Sequence, residues 1–102
     1  MSTLLITIGR LRPDGADALE RYAAGVIPVI TAQGGHVVSR GIPQETVVGG
    51  DEGRPDLVAV IRFPTAEAIR RFLSSPEYRA NIPHSDRAFA EVHSYIAADL
   101  LA

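Results

Sequence analysis

The chain has 102 residues, 46% of them hydrophobic and 22% charged, with no cysteine and a net charge of −2. This composition fits one globular domain over residues 1–102 and is too apolar for a disordered chain; it excludes disulfides, thiolate metal sites and a cysteine nucleophile. The ten positive residues are scattered rather than clustered, which argues against a nucleic-acid or anionic-membrane surface, and the lack of cysteine fits a cytoplasmic location.

From Thr3 to Leu11 the residues Leu4, Ile6 and Ile8 alternate with Leu5, Thr7 and Gly9, which predicts a strand. Its apolar run is too short for a signal peptide or a membrane span. "RPDGAD" breaks the pattern, with Asp14 expected to cap a helix. Leu19, Tyr22, Ala23, Val26 and Ile30 then recur at helical spacing. Pro28 is expected to kink this helix, and Gln33-Gly34-Gly35 to close it.

"HVVSRG", residues 36–41, reads as a second strand with His36, Val38 and Arg40 on one side and Val37 and Ser39 on the other. "GIPQ" turns the chain, "ETVVGG" reads as a short extended arm, and "DEGRPD" as a polar turn. Leu57–Phe63, "LVAVIRF", is the third strand, stopped by Pro64. Thr65 is expected to cap a short helix that turns Ala66, Ile69, Phe72 and Leu73 inward. Ser75 caps a restart, with Pro76 in the first helical position and Glu77 at the positive helix end; Pro83 is expected to end it. Ala88–Ile96 is the last strand, with Phe89, Glu91, His93 and Tyr95 opposed to Ala90, Val92, Ser94 and Ile96.

The order β-α-β-β-α-β predicts an α+β, ferredoxin-like fold: a four-stranded antiparallel sheet in order 4-1-3-2 with two helices on one face. Giving the helices the more apolar side of each strand assigns them Leu4, Ile6, Ile8, Val37, Leu57, Ala59, Ile61, Phe63, Val92 and Ile96. The open face then collects Leu5, Thr7, Val38, Val58, Val60 and Phe89, together with His36, Arg40, Arg62, Glu91, His93 and Tyr95. Such a face is too apolar to be left to water and too polar for ordinary core. A homodimer through this face is therefore expected, with a cavity between the two sheets lined by the polar members. A one-residue slip in register would flip any strand's assignment.

The stretches "YAAGVIPVITAQGGHVVSRG" and "VAVIRFPTAEAIRRFLSSPEYRA", with the closing strand, resemble the small bacterial proteins of domain-of-unknown-function family 1330, in the dimeric α+β barrel superfamily. The matching positions are Tyr22, Pro28, Gly34, Gly35, Arg40, Gly41, Phe63, Pro64, Ser75, Pro76, Glu77 and Tyr78. The resemblance implies a ferredoxin-like subunit that dimerises by packing sheets face to face, and it implies no established reaction. Related barrels include cofactor-free oxygenases, muconolactone isomerases and haem-binding enzymes, which are analogies of fold alone. "NIPHSDR" departs from the pattern, placing Pro83 and His84 where family members continue the helix with a basic residue.

His36 and His93 are the acid–base candidates, since imidazole titrates near neutrality; Glu91, two residues before His93, is placed to orient it. Arg40 and Arg62 suit a substrate carboxylate or enolate, and Tyr22, Tyr78, Tyr95 and Thr7 offer hydroxyls to a ligand. Each has a plainer reading: histidines paired with carboxylates at a dimer rim, arginines in inter-subunit salt bridges, tyrosines in the core with satisfied hydroxyls. No HxH or HExxH spacing is present, so no metal is expected, and no cofactor, haem entering only by analogy. Two functions follow. One is a cofactor-independent enzyme of isomerase, cyclase or monooxygenase type, abstracting a proton beside a carbonyl of a small oxygenated molecule. The other is a non-catalytic dimer that binds a small metabolite or is purely structural.

Overall fold

A computed structural model describes residues 2–101. The elements are β1 (Thr3–Leu11), α1 (Ala16–Ala32), β2 (His36–Gly41), β3 (Leu57–Phe63), α2 (Ala66–Ser74), α3 (Pro76–Arg79), α4 (Ile82–Ala88) and β4 (Phe89–Ala98). The strands form one antiparallel sheet in the order β2-β3-β1-β4, which is the expected ferredoxin-like arrangement. Helices on one side of the sheet make a slab about 15 Å thick in its shortest dimension.

Local chemistry explains most of the boundaries. Gly15, not Asp14, occupies the cap position before α1, and no side chain caps the helix. Its start is held by backbone instead, where Arg12 N–H donates to the Ala88 carbonyl at 2.8 Å and a Cβ on Gly15 would meet that same carbonyl oxygen at 2.3 Å. Pro28 lies inside α1, which continues to Ala32. Gly34, at φ +83°, closes the helix: its N–H donates to Thr31 O at 3.0 Å and that of Gly35 to Ile30 O at 2.9 Å, the paired bonds of a left-handed glycine cap. Thr65 Oγ1 accepts from the Ala68 N–H at 3.0 Å and Ser75 Oγ from the Tyr78 N–H at 3.1 Å, as the cap residues predict. Pro83 does not end the helical region. It sits in the first turn of α4, where a missing N–H leaves no bond unmade, so the last strand begins at Phe89 and runs to Ala98.

The faces of the strands divide differently from the expected pattern. β3 buries Leu57, Ala59, Ile61 and Phe63 beneath the helices, as its alternation suggests. In β1, however, Leu5, Thr7 and Gly9 pair with Ile61, Ala59 and Leu57, so they share the helix side, and Leu4, Ile6 and Ile8 take the open face. Size decides this: a Cβ on Gly9 would lie 2.5 Å from the Phe89 ring, so the helix side of β1 has to be narrow there. Phe89 is likewise moved from the open face to the helix side, because the β1–β4 register shifts between Arg10 and Leu11. The core then forms two clusters. Leu5, Val26, Ile30, Ile61, Phe63, Ala68, Ile69 and Phe72 make the larger, and Leu19, Leu57, Ala88 and Phe89 the smaller.

Candidate functional site

A cavity of about 70 Å³ lies between α1 and the sheet. Its lining draws on both core clusters, with Leu5, Ile30, Ile61 and Phe72 from one and Leu19, Leu57 and Phe89 from the other. The space exists because α1 packs chiefly on α4, while Ala59 and Thr7 put short side chains on the floor beneath it. The volume is roughly half that of an apolar cavity of ~150 Å³ that takes up benzene. Ile27, Val37 and Arg40 line it while remaining exposed, and so mark its mouth at the β2 edge.

Against these apolar walls stand a few polar groups. The Tyr22 hydroxyl donates to the Tyr78 hydroxyl at a long 3.4 Å. Aromatic neighbours hold both rings: Tyr22 meets Phe89 edge-on at 6.3 Å between centroids, and Tyr78 meets Phe72 at 4.9 Å. Burial, reinforced by Tyr78, pushes the Tyr22 phenol well above the usual tyrosine range, so it stays a neutral donor. Thr7 and Ser94 are cross-strand partners with hydroxyls 2.9 Å apart. Among the described residues lining the cavity, Arg40 alone is charged.

Arg40 arrives there through a bulge. His36 and Val37 face Arg62 and Ile61, but Ser39 faces Val60 and Arg40 faces Ala59. Val38 is therefore the extra residue, and everything after it changes sides. His36 remains on the open face while Arg40 turns to the helix side, contrary to the alternation in "HVVSRG". Thr7 is corrected in the same sense, from the open face to the cavity.

The sequence candidates thus separate into two groups. Thr7, Tyr22, Tyr78 and Arg40 meet at the cavity; His36, Arg62, Glu91, His93 and Tyr95 lie on the opposite face of the sheet. There, His93 Nε2 is 2.9 Å from Glu91 Oε1, a hydrogen bond that holds the Glu91 carboxyl below its usual range. Both side chains are more than half exposed, and such surface pairs contribute little to stability. Arg62 Nε donates to Asp99 Oδ2 at 3.1 Å. Asp99 also accepts from the Leu101 N–H and the Ser2 hydroxyl; these bonds, the Leu101 backbone first and then Arg62, lower its carboxyl pKa. Sequence reasoning passed over Asp99, which follows the strand without any pattern, and Ser94, whose signal is the hydroxyl it places opposite Thr7.

Along the open face, cross-strand rows run His36–Arg62–Leu4–Ala97, then Ser39–Val60–Ile6–Tyr95, then Gly41–Val58–Ile8–His93, with Arg10 beside Glu91. An apolar centre is thus flanked by charged groups at both ends. Among the described residues, no group of three or more His, Asp or Glu is placed to hold a metal, and no helix is long and apolar enough to cross a membrane.

A family described as "Domain of unknown function (DUF1330)" matches residues 6–98. No curated protein matches the chain. Among solved structures, a protein of unknown function from Rhodopseudomonas palustris is similar at a TM-score of 0.85 and 24% identity, over 97% of this chain and 82% of that one. A dimeric protein of unknown function with a ferredoxin-like fold, from Bacteroides fragilis, is similar at 0.69 and 8% identity, over 96% of each chain. A Dabb family protein with a ferredoxin-like fold from Mesorhizobium loti gives 0.69 and 11%, over 97% of each. At these identities the likeness is one of fold.

Proposed function

The chain belongs to the DUF1330 family, and on that premise we propose that it is a homodimer, joined through the open sheet face, that binds a small oxygenated molecule between α1 and the sheet. What carries the binding reading is the pair of hydroxyls on Tyr22 and Tyr78, set in a cavity whose walls are otherwise mostly apolar. Sites for small molecules have this make-up, with apolar walls and a few convergent polar groups. Tyr22, kept neutral by burial, donates its one proton to Tyr78, so the Tyr78 hydroxyl keeps its own proton to donate to a ligand's carbonyl oxygen, and that bond would stabilise negative charge developing there.

The same geometry weighs binding above turnover. Proton abstraction by His36 or His93 was the basis of the isomerase, cyclase or monooxygenase reading, and both histidines lie across the sheet from the cavity. Among the described residues lining the cavity there is no imidazole and no carboxylate. A histidine base is supported only for a molecule held between two sheets. The dimer is supported by Leu4, Ile6, Ile8, Val58 and Val60, a half-buried apolar stripe that two copies would cover, and by the dimeric state of the Bacteroides fragilis protein of like fold.

Acetone, with fewer heavy atoms than benzene, suits a cavity of this volume and tests it. Titrated into labelled protein, it is expected to shift the amide resonances of Tyr22, Ala59 and Tyr78. Tyr78→Phe should weaken binding about three- to tenfold, the effect of one hydrogen bond. Shifts confined to the open face would overturn the assignment.

A further inference from the structure

We infer that the ligand of this cavity is a short oxo- or hydroxy-carboxylic acid whose carboxylate is held at the mouth by Arg40, a reading that rests on the cavity being a ligand site. Three observations converge on it.

The first is the bulge. Regular pairing from His36 onward would set Arg40 opposite Val58, on the open face; the extra residue Val38 sets it opposite Ala59 instead. A methyl side chain at that cross-strand position leaves room for the guanidinium to lie over the sheet. An edge strand tolerates such a device, and bulges often re-aim one side chain.

The second is that this guanidinium is uncommitted. Of the ten arginines, Arg62 is paired with Asp99 and Arg54 with Asp51, and Arg12 donates to the Asp86 carbonyl; of the others, Arg40 alone lines the cavity. Arg40 makes no ion pair with any described residue, and no acid shares the cavity lining with it. A planar fork of donors beside apolar walls matches a carboxylate in two parallel hydrogen bonds. One guanidinium balances one carboxylate, whereas a phosphate monoester would leave a second charge against Val37 and Ile27.

The third is the neutral end. Tyr22 and Tyr78 offer hydroxyls rather than charges, so the other oxygen function on the ligand is a carbonyl or a hydroxyl. The carbons between the two ends lie against Leu5, Ile30 and Ile61. The small volume restricts the buried part to a short chain.

A series of three probes tests this: 4-oxopentanoate, its neutral amide 4-oxopentanamide, and acetone, which matches their oxo end, each titrated at low salt by amide shift perturbation. The acid is expected to bind about tenfold more tightly than the amide. That preference should fall to within about twofold in Arg40→Gln and survive partly in Arg40→Lys, which keeps the charge but loses the fork. Arg71→Gln, an exposed charge removed from α2, should leave the preference unchanged. Arg40 is exposed and unpaired, so its variants should match the parent in Tm. Equal binding of acid and amide, or a preference that persists in Arg40→Gln, overturns the inference and leaves the cavity reading in place. If acetone and both other probes leave the cavity resonances unmoved, the cavity reading falls and takes this inference with it.

Discussion

On its helix side the sheet presents Leu5, Ile61 and Phe63, all buried by α1 and α2 of the same chain. On the other side it presents Leu4, Ile6, Ile8, Val58 and Val60, which the same chain leaves only half-buried. Polar groups follow the same division. Inside, burial takes the Tyr22 hydroxyl from water and leaves it a single long hydrogen bond to Tyr78; outside, Glu91 and His93 share a hydrogen bond in contact with solvent, and Arg62 is a half-exposed cation paired with Asp99. One face is thus completed by its own chain except for a small, mostly apolar cavity, and the other is the face on which the proposed dimer rests. The comparison teaches that apolarity alone does not identify the core face of a thin two-layer protein.

The most damaging change should be Phe63→Ala. Phe63 is fully buried, 5.6 Å from the Phe72 ring between centroids, and its truncation leaves a void worth about 3–5 kcal/mol. Chemical denaturation should register that loss equally at low and high protein concentration, because the contact lies within one chain. A loss that depended on concentration would mean that the helix side also takes part in association.

Next in size is Ile6→Glu, which puts a carboxylate among Val60, Tyr95 and the other side chains of the open face. An unpaired charge buried in an interface costs several kcal/mol, on the order of that from losing one partner of a buried pair. Sedimentation velocity at micromolar concentration should show the parent as a dimer and the variant as a folded monomer. A parent that sediments as a monomer, or a variant that still dimerises, would remove the functional distinction between the faces.

How far this division could be read in advance depended on the strand. In "LVAVIRF" the single charge, Arg62, marks the open side, and the alternation of β3 is legible. β1 has no such marker: Leu4, Ile6 and Ile8 oppose Leu5, Thr7 and Gly9, and counting apolar residues favours the wrong side. What decides it is the fit of Gly9 beneath Phe89, a tertiary fact. Strand order, caps and the glycine-closed helix were legible because each rests on local chemistry. Both register shifts, at Val38 and between Arg10 and Leu11, were not, since a bulge changes pairing without changing residue types. The shifts therefore put Arg40 and Phe89 on the wrong side, as the apolar count did Thr7. Tyr22 and Tyr78 were legible one at a time; that they meet depends on how α1 and α3 pack.

The smallest effect separates the faces by their response to alkali. In the folded chain the Tyr22 phenol is raised above the value of about 10 that it has when unfolded. The folded state therefore holds its proton more tightly, so its contribution to stability is full below about pH 10 and is lost as pH rises beyond it. One such group can lower stability by at most ~1.4 kcal/mol per pH unit over that range. The measurement is unusually clean here, because all ten basic side chains are arginine and there is no cysteine, which leaves tyrosine as the side-chain type that titrates between about pH 9.5 and 11.5. Urea denaturation across that interval should show stability falling with pH in the parent and a shallower fall in Tyr22→Phe. Identical slopes would mean that water reaches the Tyr22 hydroxyl freely, and the inner face would then differ from the outer one in shape but not in polarity.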